Sequence, residues 1–488
     1  MSAPRYQDDA VEVWHGDCLD VLRQLSDDSV DAVVTDPPYG LAELKPATVG
    51  QALAAWLAGD RDHVPDGRGF MGRAWDGFVP PPAVWDECLR VLKPGGHLLA
   101  FAGSRTADLM GVSVRLAGFE IRDTITWHYA SGMPKSLDVS KAIDKAAGAE
   151  REVIGINEDY LRRKPNGMKT AGASTYGYSK NDLPTDARIT APATDAARQW
   201  SGWGTALKPA SEPIIVARKP LAGTVAQTVL AYGTGAMNIG ACRVGAEPRT
   251  NNAGGASSVQ RVSRVEQGYR DTVTASVGEA STVTGRWPSN VVFSHAPLLD
   301  ADGDVIGDAC AEGCIEGCPV AELDAQSGIL KSGANPTRRG SDKFRDSYGE
   351  FKGQAECTPA RDADSGYASR FFPTFRYQAK AGTDERPRLA GTAHPTVKPL
   401  PLMAWLVRLV TPPGGLVLDP FAGSGTTGEA CLMEGFRCTL IEQDATYLPL
   451  IIDRVTKHRD VVAHLQHRRD HGEPEDLGLF ALLPEVTA

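Results

Sequence analysis

Apolar positions follow two regimes along this chain, regular near both ends and irregular between them. Val30-Asp31-Ala32-Val33-Val34 is short, β-branched and stopped by prolines, which predicts a buried strand. Before it, Val11-Glu12-Val13-Trp14-His15 alternates like a strand and runs into Gly16-Asp17; Cys18 to Leu25 then takes helical spacing. After it, Pro82 to Leu92 reads as a helix opened by proline, Lys93-Pro94-Gly95-Gly96 as a turn, and His97 to Ala102 as a buried strand. Ser104 to Ala117 is a further helix. Phe119 to Trp127 alternates, and its hairpin partner is distant, at Glu212 to Lys219, so Tyr129 to Pro209 is expected as an insertion.

Near the other end, Leu402, Met403, Leu406, Val407, Leu409 and Val410 mark a strongly apolar helix. Leu416 to Asp419 is a buried strand, a glycine loop follows, and Thr426 to Glu434 is the next helix. Phe436 to Glu442 is a strand ending in an acid, and Tyr447 to Lys457 is an amphipathic helix. Strand, glycine loop, helix, strand, acid is the order of the nucleotide-binding half of a doubly wound sheet. From Leu221 to Ala393 periodic runs are few, and stretches such as 254–258 and 337–341 read as mobile loops. A long polar region inside an enzyme either carries a function or is a decorated linker.

Length and composition change this picture little. A chain of 488 residues usually makes two or three domains. No long uncharged apolar run is present and Met1 to Asp9 is polar, so neither a membrane span nor a signal peptide is expected. Nine dispersed cysteines are not a disulfide framework, which suggests a reducing cytoplasm. A net charge of −10 argues mildly against nucleic acid, yet charge is local. Basic residues outnumber acidic ones between Arg151 and Arg286, whereas Val291 to Leu330 holds eight acids and no Lys or Arg. That distribution suits DNA binding through one face.

The candidate chemistry begins at Thr35-Asp36-Pro37-Pro38-Tyr39-Gly40. Asp36 follows a predicted strand, where open α/β sheets place ligands. Pro37 and Pro38 fix φ twice and remove two donors, leaving carbonyls free to accept. A carboxylate, a free carbonyl and the flat face of Tyr39 suit a planar ring bearing an amino group. The second anchor is Asp419-Pro420-Phe421-Ala422-Gly423-Ser424-Gly425-Thr426-Thr427, whose glycines allow close approach to a ligand. It is neither the Gly-x-Gly-x-x-Gly of dehydrogenases nor a Gly-Lys-Ser/Thr phosphate loop.

Asp36-Pro37-Pro38-Tyr39 resembles the catalytic motif of the amino-methyltransferases that modify adenine N6 or cytosine N4. The loop from Asp419 to Thr426 resembles their S-adenosylmethionine loop. Catalytic motif before cofactor motif is the order of the β class of DNA amino-methyltransferases. The resemblance implies an α/β, doubly wound, Rossmann-like sheet, circularly permuted, with a large loop-rich inserted recognition region. It implies a catalytic half at 1–128, an insertion at 129–209, a returning strand at 210–220, a target-recognition region at 221–393, a cofactor half at 394–459 and a polar tail at 460–488. It places Asp36, Pro37, Pro38 and Tyr39 at the reaction centre. Asp419, Pro420, Phe421, Ala422, Gly423, Ser424, Gly425, Thr426 and Glu442 would hold the cofactor, Glu442 by accepting from the ribose hydroxyls. His394-Pro395-Thr396-Val397-Lys398-Pro399 resembles the segment opening the cofactor half, which brings in Thr396 and Lys398. Asp17 would lie near the cofactor's adenine, or it merely caps the following helix.

The implied reaction is methyl transfer to a flipped-out base in double-stranded DNA. Asp-Pro-Pro-Tyr is more typical of the adenine enzymes and Ser-Pro-Pro-Tyr of the cytosine-N4 enzymes, so adenine N6 is expected and cytosine N4 stays open. RNA or protein-glutamine methylation, and a DNA-binding module without catalysis, are the other readings. No Pro-Cys dipeptide is present, against transfer to cytosine C5.

Four smaller features remain. Trp127 either walls the base pocket or is core. Ser369 to Tyr377 interleaves aromatics with arginines, to stack on bases or to pack as a strand. Cys310, Cys314 and Cys318, with His295 upstream, offer a Cys3His set for structural zinc, or are ordinary cysteines. Leu477, Leu479 and Phe480 form an apolar patch on a polar tail. That patch either docks on the chain's own catalytic domain, in cis or across a homodimer, or resembles the peptides that bind the bacterial sliding clamp.

Overall fold

The computed structural model describes residues 3–42, 44–67, 76–130, 136–157, 188–251, 281–299, 305–308, 310, 313–315, 317–332, 364–375 and 397–457. Thr396, the loops at 254–258 and 337–341, and the tail from 460 with its apolar patch lie outside them. The chain divides into two compact units, one of Met1–Asn238, Asn290–Ala321 and Thr374–Ala488, the other of Ile239–Ser289 and Glu322–Pro373.

The first unit is built on a ten-stranded sheet. Its spatial order is Tyr6–Gln7, Val11–His15, Arg437–Glu442, Leu416–Asp419, Val30–Thr35, Leu92–Phe101, Ser211–Arg218, Glu120–His128, Val291–Ser294 and Thr374–Phe375. The five strands from Val11–His15 to Leu92–Phe101 are mutually parallel, and Ser211–Arg218 runs antiparallel to both its neighbours. Two strands from the chain's far end thus lie between two from its beginning, which is the circularly permuted order. All six residues of Val30–Thr35 are buried, as expected of a central parallel strand covered on both faces. The helix Leu400–Val410 buries eight of its eleven residues.

Local signals account for most boundaries. Proline opens Pro46–Ala58 and Pro82–Val91, where its missing N–H costs nothing. Asp17 caps Cys18–Leu22 by accepting from the Leu19 N–H at 2.9 Å. Lys93 to Gly96, expected as a turn, belongs to the strand Leu92–Phe101. Val30 pairs with Leu92 but Ala32 pairs with His97, so the extra residues bulge out while the ladder continues. Lys93 then reaches back to Asp31 at 2.7 Å.

Glu120–His128 pairs with Ser211–Arg218 across the insertion. Inside the insertion, Val153–Ile156 pairs with Arg188–Thr190. The fully buried Asp144 ties its pieces together, accepting from Arg151 at 2.7 Å, from the Thr194 hydroxyl at 2.7 Å and from the Ala193 N–H at 2.9 Å. Two strands from the stretch 221–393 extend the large sheet, Thr374–Phe375 within the segment read either as base-stacking or as a strand. Val291–Ser294 pairs with Glu120–His128, and Thr374–Phe375 pairs in turn with Val291–Ser294. The stretch 221–393 is therefore divided between the two units.

The second unit pairs Val244–Asn251 with Ser281–Arg286 and Leu330–Ser332 with Asp364–Gly366. Arg286 bonds Asp364 at 2.9 Å, and the Arg286 and Arg370 guanidinium groups lie over the Phe371 ring. Of the stretch 369–377, Thr374–Phe375 thus packs as a strand, while Arg370 is occupied by Phe371 and by carbonyls of its own segment. Trp127 belongs to the core: it is 5% exposed, packs edge-on against Phe101 and donates to Ser294 Oγ at 2.9 Å. No helix among the described residues is long and apolar enough to cross a membrane.

Candidate active site

The parallel strands Val11–His15, Val30–Thr35, Leu416–Asp419 and Arg437–Glu442 all end at one cavity of about 720 Å³, large enough for a nucleoside-sized ligand. Gly16, Asp36, Pro420 and Gln443, each the first residue past its strand, line it. This is the carboxyl edge of the sheet, where doubly wound folds bind ligands.

At one end lie Asp36, Pro37, Pro38 and Tyr39. Their loop is held from several sides. Asp76, itself buried, accepts from the Tyr39 and Gly40 N–H groups at 2.8 and 3.0 Å, and Thr106 Oγ1 donates to the Tyr39 carbonyl at 2.5 Å. Gly40 has φ +66°, and a Cβ there would meet the Val79 nitrogen at 2.7 Å, so only glycine fits. Lys398 Nζ lies 2.8 Å from Asp36 Oδ2 and 3.3 Å from Glu212 Oε2, beneath the rings of Tyr39 and Phe101. Burial alone would lower the Lys398 pKa, but the charges of Asp36 and Glu212 outweigh it and raise it. The Tyr39 hydroxyl donates to Glu212 at 2.9 Å; burial, then the charges of Asp36 and Glu212, push its pKa well up, so it stays protonated. Asp36 Oδ1 is buried and has no hydrogen-bond partner among the described residues. Asp36 is a residue of the cavity wall, and a buried carboxylate oxygen without a donor is an acceptor left unmatched.

At the other end, Asp419, Pro420, Phe421, Ala422, Gly423, Ser424 and Thr426 line the cavity. Asp419 is engaged through both oxygens. Oδ1 accepts from Thr35 Oγ1 at 2.6 Å and from the Phe421 N–H at 3.0 Å, and Oδ2 from Thr427 Oγ1 at 2.5 Å. It braces the loop against the catalytic strand, and burial raises its pKa to about 6. Gly425 does not line the cavity; it begins the helix Thr426–Met433 with φ +77°, and a Cβ there would press on Ile451 at 3.1 Å. Glu442 accepts from the Gly423 N–H through Oε2 and the Asp444 N–H through Oε1, both at 2.8 Å. Burial dominates and lifts its pKa to about 7. Asp17 both caps its helix and lines the cavity.

The structure thus brings the two sequence anchors to one cavity and places Lys398 at the catalytic end, against Asp36. Glu212 and Asp76 were not singled out from sequence. Glu212 carried a faint signal, an acid followed by proline at the start of an otherwise apolar strand; Asp76 carried none. His295, Cys310, Cys314 and Cys318 also converge, away from this cavity.

Comparison with known proteins adds an independent line. A family model described as DNA methylase matches residues 30–222 and 321–453. The type II methyltransferase M.BamHI of Bacillus amyloliquefaciens is 30% identical over 102 residues, 20% of this chain and 19% of that one. The DNA adenine methyltransferase YhdJ of Escherichia coli K12 is 38% identical over 71 residues, 14% of this chain and 23% of that one. The chain therefore spans about a fifth of the length of these relatives. Among solved structures, the cytosine-N4-specific PvuII DNA methyltransferase aligns over 94% of this chain and 93% of its own, with TM-score 0.39 and 13% identity.

Proposed function

The chain belongs to the DNA methylase family, and from that premise we propose that it transfers a methyl group from S-adenosyl-L-methionine to the exocyclic N6 of an adenine in double-stranded DNA. The observation that carries this reading is the buried, unpartnered Asp36 Oδ1 at the cavity wall, its other oxygen anchored by Lys398.

The residues present fit the cofactor. The cavity joins an acceptor-lined catalytic end to a glycine loop and an acid, and Glu442 keeps lone pairs beyond those used by Gly423 and Asp444. Pro420 to Ser424, Thr426 and Glu442 would hold the cofactor, with Asp17 at its adenine end. When bound, S-adenosylmethionine supplies an electrophilic sulfonium methyl.

The adenine amine is a poor nucleophile because its lone pair is delocalised into the ring. Asp36 Oδ1 accepts one N–H and the Pro37 carbonyl the other, which favours a pyramidal nitrogen with its lone pair aimed away from both acceptors. Lys398 keeps the Asp36 carboxylate in place and balances its charge. Tyr39 offers a face to the ring. The alkylated nitrogen must shed a proton, and Asp36 Oδ1 is the adjacent base. One base, not a pair, suits such a cavity, so the target leaves the duplex. Recognition of the DNA site is assigned to the region 221–393.

The test is methylation of double-stranded DNA with cofactor labelled in the methyl group, followed by digestion to nucleosides. Label in N6-methyl-2′-deoxyadenosine, lost in Asp36→Ala while cofactor binding persists, is expected. Label in N4-methylcytosine, or in RNA or protein alone, overturns the assignment.

A further inference from the structure

A second cluster stands apart from the active-site cavity. His295 Nδ1 lies 3.4 Å from Cys314 Sγ and 3.5 Å from Cys318 Sγ, and the ligand atoms of these residues and Cys310 all fall within 4.8 Å of one another. Zinc–sulfur bonds of about 2.3 Å and zinc–nitrogen bonds of about 2.0–2.1 Å at tetrahedral angles put nitrogen and sulfur roughly 3.5 Å apart. The side chains are thus spaced as the corners of a zinc site.

Three further observations point the same way. None of the three thiols is in a disulfide, and an odd number cannot all pair. Among the described residues, the apolar cluster around them has four buried members, Ala296, Cys310, Cys318 and Val320, with Ala130, Phe293 and Ala321 packed against it; two of the four are the thiols themselves. Burial among these residues gives an irregular loop little hold. Finally, the stretch Val291 to Leu330 carries eight acids and no Lys or Arg, so its field favours a cation and disfavours DNA phosphate.

The backbone is arranged around the same point. His295 directly follows the strand Val291–Ser294, and its N–H donates to the Phe375 carbonyl at 2.9 Å. The turns are closed by Gly313 N–H to Cys310 carbonyl at 3.0 Å and Cys318 N–H to Ile315 carbonyl at 3.2 Å.

We propose that His295, Cys310, Cys314 and Cys318 bind one zinc ion in a closed, structural site that clamps the excursion after Val291–Ser294 back onto the end of that strand. Four protein ligands leave no position for water, so the ion is structural. Binding takes His295 through Nδ1 with its proton on Nε2, and the three thiols release their protons to solvent.

The test is metal analysis of the full chain purified without chelator. About one zinc per chain is expected, released by a thiol-specific mercurial, with lower thermal stability and unchanged cofactor binding after release. Cys314→Ser, at the one exposed ligand, should lose the zinc. Cobalt substitution of the wild-type chain gives a second readout that does not depend on the variant folding: intense visible bands of tetrahedral thiolate cobalt are expected. Metal-free protein that also fails to develop those bands overturns the proposal. So does full zinc retention in Cys314→Ser, or iron in place of zinc.

Discussion

Lys398 Nζ lies 2.8 Å from Asp36 Oδ2, so the residue expected beside the cofactor also reaches the carboxylate proposed for catalysis. It is 8% exposed and shared with Glu212, which makes it the centre of a buried charge triad. Without it, two carboxylates would face each other and Asp36 would lose its anchor. Lys398→Met is expected to lower kcat by about 100-fold, the effect of a misplaced reacting group, with little change in cofactor Kd. Single-turnover methyl transfer and equilibrium binding separate the two. A matching rise in Kd would return Lys398 to the cofactor.

Tyr39 has two separable parts, a ring at the cavity and a hydroxyl held by Glu212. If the ring stacks on the target base, Tyr39→Phe keeps most activity. Tyr39→Ala should then weaken productive DNA binding by roughly 5- to 150-fold, the range for loss of one base–aromatic contact. Comparing kcat/KM for the two variants checks this. Equal losses would mean that the hydroxyl, not the ring, matters.

Glu442 links cofactor binding to pH. Burial lifts its pKa from 4.5 to about 7 in the ligand-free fold. The folded value lies above the unfolded one, so its contribution to ligand-free stability is full below pH 4.5 and is lost as pH rises through about 7. Ribose hydroxyls donate to the ionised carboxylate, so cofactor affinity has the opposite slope, rising with pH up to about 7 and then levelling. Calorimetric titration across this range checks it. Glu442→Gln should bind more weakly and with that pH dependence removed.

Gly425 carries the loop into its helix at φ +77°, with Ile451 against the place of a Cβ. Arg454 secures the same turn, donating to the Ser424 carbonyl at 3.0 Å and to Thr426 Oγ1 at 2.8 Å. Gly425→Ala adds left-handed strain of about 1–2 kcal/mol and a contact that must be relieved by moving the loop. Lower thermal stability and weakened cofactor binding are expected together. Unchanged binding would show that the loop tolerates the shift.

Much of the fold was legible because it is written in local signals. The run Val30 to Val34 followed by two prolines, the glycine loop after Leu416–Asp419, and the acid ending Arg437–Glu442 each depend on neighbouring residues alone, and each lies where expected. The pairing of Glu120–His128 with Ser211–Arg218 was also readable, since both alternate or run apolar over matching lengths. Weak signals failed where the partner supplies the order: Val291–Ser294, four residues long, is not read as a strand from sequence and becomes one by adding to an existing edge, and Thr374–Phe375, two residues long, stays open there between stacking and a strand.

The sequence by itself determined the family, because Asp36 to Tyr39 and Asp419 to Thr426 are contiguous motifs that carry the resemblance and supply acceptors, a flat face and a close-approach loop. Only the tertiary structure decided what each side chain touches. Thr35 meets Asp419 at 2.6 Å, so the residue expected beside the cofactor also braces the loop against its neighbouring strand. Glu212 arrives at Tyr39 from a segment whose separation no local pattern encodes, whereas the convergence of His295 on the three thiols is already offered by their spacing. The reason is physical: a motif is set by backbone neighbours along the chain, whereas a buried polar group takes whichever partner the packed sheet brings within hydrogen-bonding reach.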